Sequence, residues 1–95
     1  MHHLMLKEKR TEIEAPMATA VENRMMDGTP FTYSGLAAVS EAAGGDEARD
    51  RVADRTIQKW RRRGWISFRR IKREVVWSLT AEGEDEKERR EAAHG

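Results

Sequence analysis

Apolar residues recur along this chain in two rhythms, and the change from one to the other falls at Gly64. Before it the spacing is helical. Met17, Val21 and Met25 stand at i, i+4 and i+8 with Ala18 beside them, which predicts a first helix over 15–26. Pro16 suits the first turn, where a missing N–H matters least, and Asp27-Gly28 followed by Thr29-Pro30 ends the helix. A capping pattern at Thr11 to Glu14 offers an earlier start. Phe31-Thr32-Tyr33 is β-prone and predicts a brief strand. Ser34 is the expected N-cap of a second helix over 35–43, with Leu36, Val39 and Ala43 inward and Ser40 and Glu41 outward. Gly44-Gly45 stops it.

Ala48, Val52, Ala53, Ile57 and Trp60 then keep a 3.6-residue period. Two readings fit them: one helix over 46–63 capped by Asp46, or a shorter one from Arg55 capped by Asp54. After Gly64 the period becomes two. Ile66 and Phe68 share one face, and Val75, Trp77 and Leu79 share one face of a second run. That is a hairpin with Arg70-Ile71-Lys72-Arg73 at its tip, although no Asn-Gly or Asp-Gly marks the turn. Thr80 caps a last helix over 81–93, so densely charged that it is expected to be solvated all round. The expected core is Leu36, Val39, Ile57, Trp60, Ile66, Phe68, Val75, Trp77 and Leu79. Residues 1–14 show little periodicity and are read as a flexible arm, 15–81 as the folded domain, and 82–95 as a charged helix and tail.

Ninety-five residues are one domain with a modest core. Cysteine is absent, which rules out disulfides and thiolate zinc sites and suits a reducing cytoplasm. No apolar run approaches the ~20 residues of a membrane span, and no signal-peptide core follows the start. The expectation is a soluble cytoplasmic protein with no membrane association. His2, His3 and His94 make a poor metal site, so no metal or cofactor is expected. A Ser/His/Asp set, a glycine-rich phosphate loop and a paired-ligand motif are all missing from the sequence, and the chain is read as a non-enzyme.

Charge changes the picture more than composition does. The chain totals +1, yet residues 1–54 carry −4, 55–73 carry +9 with no acid, and 75–95 carry −3. Arg55, Lys59, Arg61, Arg62, Arg63, Arg69, Arg70, Lys72 and Arg73 form the positive pole, with Trp60, Trp65 and Phe68 threaded among them. Such a block focuses a polyanion onto one surface. The opposing reading is a solvated face neutralised by Asp50, Asp54 and Glu47 against Arg49, Arg51 and Arg55. The three tryptophans are read as core rather than as base-stacking platforms, because a small domain needs their area.

The stretch Val52-Ala53-Asp54-Arg55-Thr56-Ile57-Gln58-Lys59-Trp60, followed by Arg63-Gly64-Trp65-Ile66, resembles the recognition-helix region of winged helix-turn-helix proteins. Val76-Trp77-Ser78-Leu79-Thr80-Ala81-Glu82-Gly83 is similar to that family's second wing strand and its step into a closing helix. Residues 44–51 lengthen the turn beyond the family's usual few. The resemblance, over roughly 15–90, implies an α+β, mostly helical fold: three helices, a two- or three-stranded wing and a charged C-terminal helix.

It also implies sequence-specific binding of double-stranded DNA, as in a small transcriptional regulator or a phage or mobile-element DNA-binding factor. Arg55, Thr56, Gln58, Lys59, Arg62 and Arg63 would lie outward on the recognition helix, in the major groove, where Arg, Lys and Gln read base edges. Arg61, nearer the buried face, would touch backbone. Arg69, Arg70, Lys72 and Arg73 on the wing would grip phosphates. The alternatives are a protein-interaction module or inhibitor using the same basic and tryptophan surface, and an RNA-binding winged helix. Homodimers occur in the family, but neither terminal segment here carries an apolar seam.

Overall fold

The computed structural model describes residues 2–94, with side chains from Glu14 to His94. The elements run α1 (His2–Met25), α2 (Tyr33–Gly44), α3 (Arg49–Arg62), β1 (Ile66–Ile71), β2 (Glu74–Leu79) and α4 (Ala81–His94). The fold is α+β and mostly helical, with an antiparallel hairpin as its sheet among the described residues. None of the described helices is long and apolar enough to cross a membrane.

α1 departs from the expected 15–26. It is helical from His2, so the segment read as an arm continues the helix, and Pro16 lies in its interior rather than its first turn. The cost is one backbone hydrogen bond. Upstream of Pro16 the helix rests on residues of high helix propensity (Leu, Met, Lys, Glu, Arg) rather than on an apolar stripe, which is why periodicity did not find it. The side chains of His2 and His3, weighed as metal ligands, lie outside the described ones. At the other end Arg24 locks the exit from the helix. It reaches the Asp27 carboxylate at 3.0 Å and the Pro30 carbonyl at 2.8 Å, while Asp27 accepts the Thr29 N–H at 2.7 Å.

The expected strand at 31–33 shrinks to a single bridge. Phe31 and Trp77 exchange both backbone hydrogen bonds, at 2.9 and 2.8 Å, tying the hairpin to the loop before α2. Thr32 cannot extend the pairing because it is the N-cap of α2, its hydroxyl accepting the Gly35 N–H at 3.1 Å. The cap is therefore Thr32, not Ser34. The buried face of α2 is also shifted: Leu36, Ala37 and Ser40 are buried, Val39 is half-buried and Ala43 is exposed. The outward placement of Ser40 was wrong, since 36 and 40 are one helical turn apart and share the core side.

Both readings of the third helix miss its start. α3 begins at Arg49 with Ala48 as a cap that makes no side-chain hydrogen bond, so neither Asp46 nor Asp54 caps it. The connection from α2 is Gly45 to Ala48, shorter than the 44–51 turn expected. Ala48, Val52, Ala53, Ile57 and Trp60 are buried as their period requires. They meet Met17, Val21 and Met25 of α1, Leu36 of α2, and Ile66 and Trp77 of the hairpin in one core.

The hairpin pairs Ile66 with Leu79, Phe68 with Trp77 and Ile71 with Glu74. Its turn is only Lys72-Arg73, both with positive φ (49° and 71°). Two residues with φ > 0 are what a tight antiparallel turn of this twist requires, normally supplied by Asn-Gly. Phe68, expected in the core, is half exposed at 51% and packs on the ring of its cross-strand partner Trp77, 5.2 Å away. Ile66, nearer the helices, is buried.

α4 is not solvated all round. Thr80 caps it, accepting the Gly83 N–H at 3.1 Å and donating to the Gly64 carbonyl at 2.5 Å. Gly83 is buried against Trp65. About two turns further on, the Arg90 guanidinium lies 5.2 Å from the Trp60 ring and 5.6 Å from the Trp65 ring. The helix thus closes over the α3–β1 junction with a glycine and an arginine instead of an apolar stripe.

Candidate nucleic-acid interface

Burial divides the face of α3 sharply. Val52, Ala53, Thr56, Ile57 and Trp60 point inward. Arg51, Arg55, Gln58 and Arg62, at i, i+4, i+7 and i+11, form a stripe that is exposed apart from half-buried Gln58. Thr56 is a correction to the expected site. It is 5% exposed, and its hydroxyl donates to the Val52 carbonyl at 2.8 Å within the helix, so it is not available to a groove. Arg61, placed near the buried border, is exposed.

Ion pairing divides the same helix a second way. Arg49 meets Glu41 at 2.6 Å and Asp50 at 3.8 Å. The Glu14 carboxylate, on α1 and buried, accepts from Nε and Nη2 of Arg51 at 3.2 and 2.9 Å and also from Nη2 of Arg55. Burial alone would raise the Glu14 pKa; the hydrogen bonds from Arg55 and Arg51 outweigh it and hold the carboxyl below its ordinary value. Lys59 lies 3.8 Å from Glu22, about two turns further along α1 than Glu14. Neutralisation thus comes from Glu14, Glu22 and Glu41 as well as from Asp50, rather than from Asp54 and Glu47.

Beyond Lys59 the pairing stops. Among the described residues no carboxylate lies within 4.0 Å of Arg61, Arg62, Arg63, Arg69, Arg70, Lys72 or Arg73. These cations occupy the end of α3, the second half of β1 and the hairpin turn, and all are exposed. Arg63 sits 4.9 Å over the Trp65 ring, which fixes it at the junction of helix and ribbon. The tip cations Lys72 and Arg73 are carried by the turn itself. Helix end and ribbon therefore carry the exposed cations without a carboxylate partner, while the arginines in the N-terminal turns of α3 are paired with carboxylates.

The tryptophans are not part of that surface as platforms. Trp60 is fully buried, Trp77 nearly so and Trp65 half-buried, and Trp60 and Trp65 pack edge to face with centroids 5.4 Å apart.

Sequence reasoning missed Arg51 and Glu14. The first was legible as the start of the 51/55/58/62 stripe. The second was legible as an acid on the α1 stripe, since 14, 17, 21 and 25 fall on one side of a helix. A carboxylate there must be paired. Starting the helix at Ala15 hid it.

No family model, curated protein or solved structure matches this chain. The reading of its function therefore rests on the surface just described.

Proposed function

We propose that this chain binds double-stranded DNA as a winged helix-turn-helix protein, in the role of a small transcriptional regulator or a phage or mobile-element DNA-binding factor. The observation that carries the reading is the set of acid-free cations from Arg61 to Arg73, shared between the end of α3 and the hairpin. The first turns of α3, by contrast, have their arginines held by carboxylates. A convex helix beside a projecting ribbon also suits a duplex, whose major groove admits the one while the other follows the backbone.

In this arrangement Gln58 and Arg62 face base edges, and Arg61, Arg63, Arg69, Arg70, Lys72 and Arg73 meet phosphates. Arg55 and Lys59 lie at the margin, engaged with Glu14 and Glu22. Of the two tryptophans on which a protein-interaction reading would lean, Trp60 is buried and Trp65 half-buried, which favours the duplex reading.

Binding of a random duplex measured over a salt series tests the proposal. Four to six phosphate contacts give a log–log slope of about −4 to −5. Absence of binding at low salt, or a flat dependence, would sink it. Structured or single-stranded RNA that outcompetes duplex DNA would reassign the ligand to RNA.

A further inference from the structure

Glu14 is a buried anion placed where a recognition helix would be expected to meet phosphate. Its side chain is 7% exposed, whereas those of the Arg51 and Arg55 it holds are 50% and 57% exposed. The arginines are thus presented to solvent while one carboxylate behind them offsets half of their charge. Asp50 in the first turn of α3 and Asp54 one turn on add two more acids to the same stretch, and Glu41 holds Arg49. Arg49, Asp50, Arg51, Asp54 and Arg55 together with Glu14 and Glu41 carry a net −1. Helix N-termini ordinarily attract phosphate through their exposed N–H groups and dipole. Here that attraction is offset by fixed carboxylates, and the unmatched positive charge begins only after Lys59.

We propose that Glu14 is a masking residue: it withholds Arg51 and Arg55 from phosphate, so that a polyanion engages the C-terminal end of α3 and the hairpin in one orientation. This inference rests on the polyanion-binding reading of the surface. A buried carboxylate can do this better than a surface one. Its partners are held at hydrogen-bonding distance by two packed helices, so a phosphate must displace an ion pair whose ordering is already complete. Masking therefore fixes orientation at the expense of affinity.

The test compares three variants of the full chain with the wild type on immobilised heparin and on a random duplex across a salt series. Glu14→Gln frees two cations. Its duplex affinity at 0.1 M salt should rise about tenfold and its log–log slope steepen by about 1 to 2. Glu88→Gln, on the exposed side of α4, makes the same change in net charge and should move both readouts far less. The triple variant Glu14→Gln, Arg51→Gln, Arg55→Gln removes both cations together with the carboxylate that holds them and should return to the wild-type slope.

Masking is overturned if Glu14→Gln elutes from heparin no later than Glu88→Gln. It is equally overturned if the triple variant is flatter than wild type by about 2, because Arg51 and Arg55 would then already be on phosphate. The predicted heparin order without any duplex binding leaves the masking intact and removes the duplex reading instead. Should Glu14→Gln fail to fold, the triple variant decides.

Discussion

A β-carbon on Gly83 would collide with the backbone carbonyl oxygen of Trp65. That oxygen cannot retreat, because it also accepts the Thr80 N–H at 2.9 Å. The α4 N-terminus, the end of β2 and the α3–β1 junction are therefore locked at a point where only hydrogen fits.

Gly83→Ala is accordingly expected to destabilise the fold, although alanine is the better helix former by about 1 kcal/mol. Overpacking against fixed backbone costs about 1–3 kcal/mol, which lowers Tm by about 4–8 °C for each kcal/mol in a domain of this size. Thermal melts check it. A variant as stable as wild type would mean that α4 is not seated on Trp65.

Thr56→Val is expected to leave duplex binding unchanged, within about twofold. The hydroxyl is buried and bonded to its own helix, and valine keeps the shape. Stability should change by less than about 1 kcal/mol, since back-bonding of this kind adds little to a helix. A large loss of affinity with an unchanged Tm would return Thr56 to the interface.

How far these features were legible depends on the signal that carries each. Strong periods were sufficient for the α3 core, for the hairpin and for the Thr80 cap, because burial of Val52, Ile57 and Trp60 on one side leaves little choice. Competition between local partners was not legible: Thr32 serves either a strand or a cap, and the cap wins once Phe31 pairs with Trp77. Nor was pairing between distant segments. Glu14 and Arg55 are 41 residues apart, so a chain read locally counts Arg55 as free charge and loses the boundary between the neutral and the positive ends of α3.

Acid should destabilise the protein through its carboxylates. Glu14 is held low against burial by its arginines, Asp27 chiefly by the Thr29 hydroxyl, and Glu86 chiefly by Arg90. A carboxyl whose folded pKa lies below the unfolded value contributes stability in full above the unfolded pKa, about 4 to 4.5, and loses it as pH falls through the folded one. Tm should therefore stay level from pH 7 to about 5 and decline below about 4.5. Glu14→Gln should start lower at neutral pH and decline less. A wild-type Tm that is constant down to pH 3 would contradict the ion pairs.

The turn at Lys72-Arg73 sets stability against the proposed binding. Each residue takes a left-handed conformation that costs a non-glycine side chain about 1 kcal/mol. Replacing the pair by Asn-Gly, the residues this turn favours, should raise the stability of the hairpin by about 1–2 kcal/mol and increase Tm. The same change removes two tip cations. If they contact phosphate, the log–log salt slope of duplex binding should fall in magnitude by about 2. Strain tolerated in a turn built of two cations is what a tip that contacts phosphate would show. Higher Tm together with unaltered binding would show the opposite, that Lys72 and Arg73 serve the turn alone and the ligand contacts stop at Arg70.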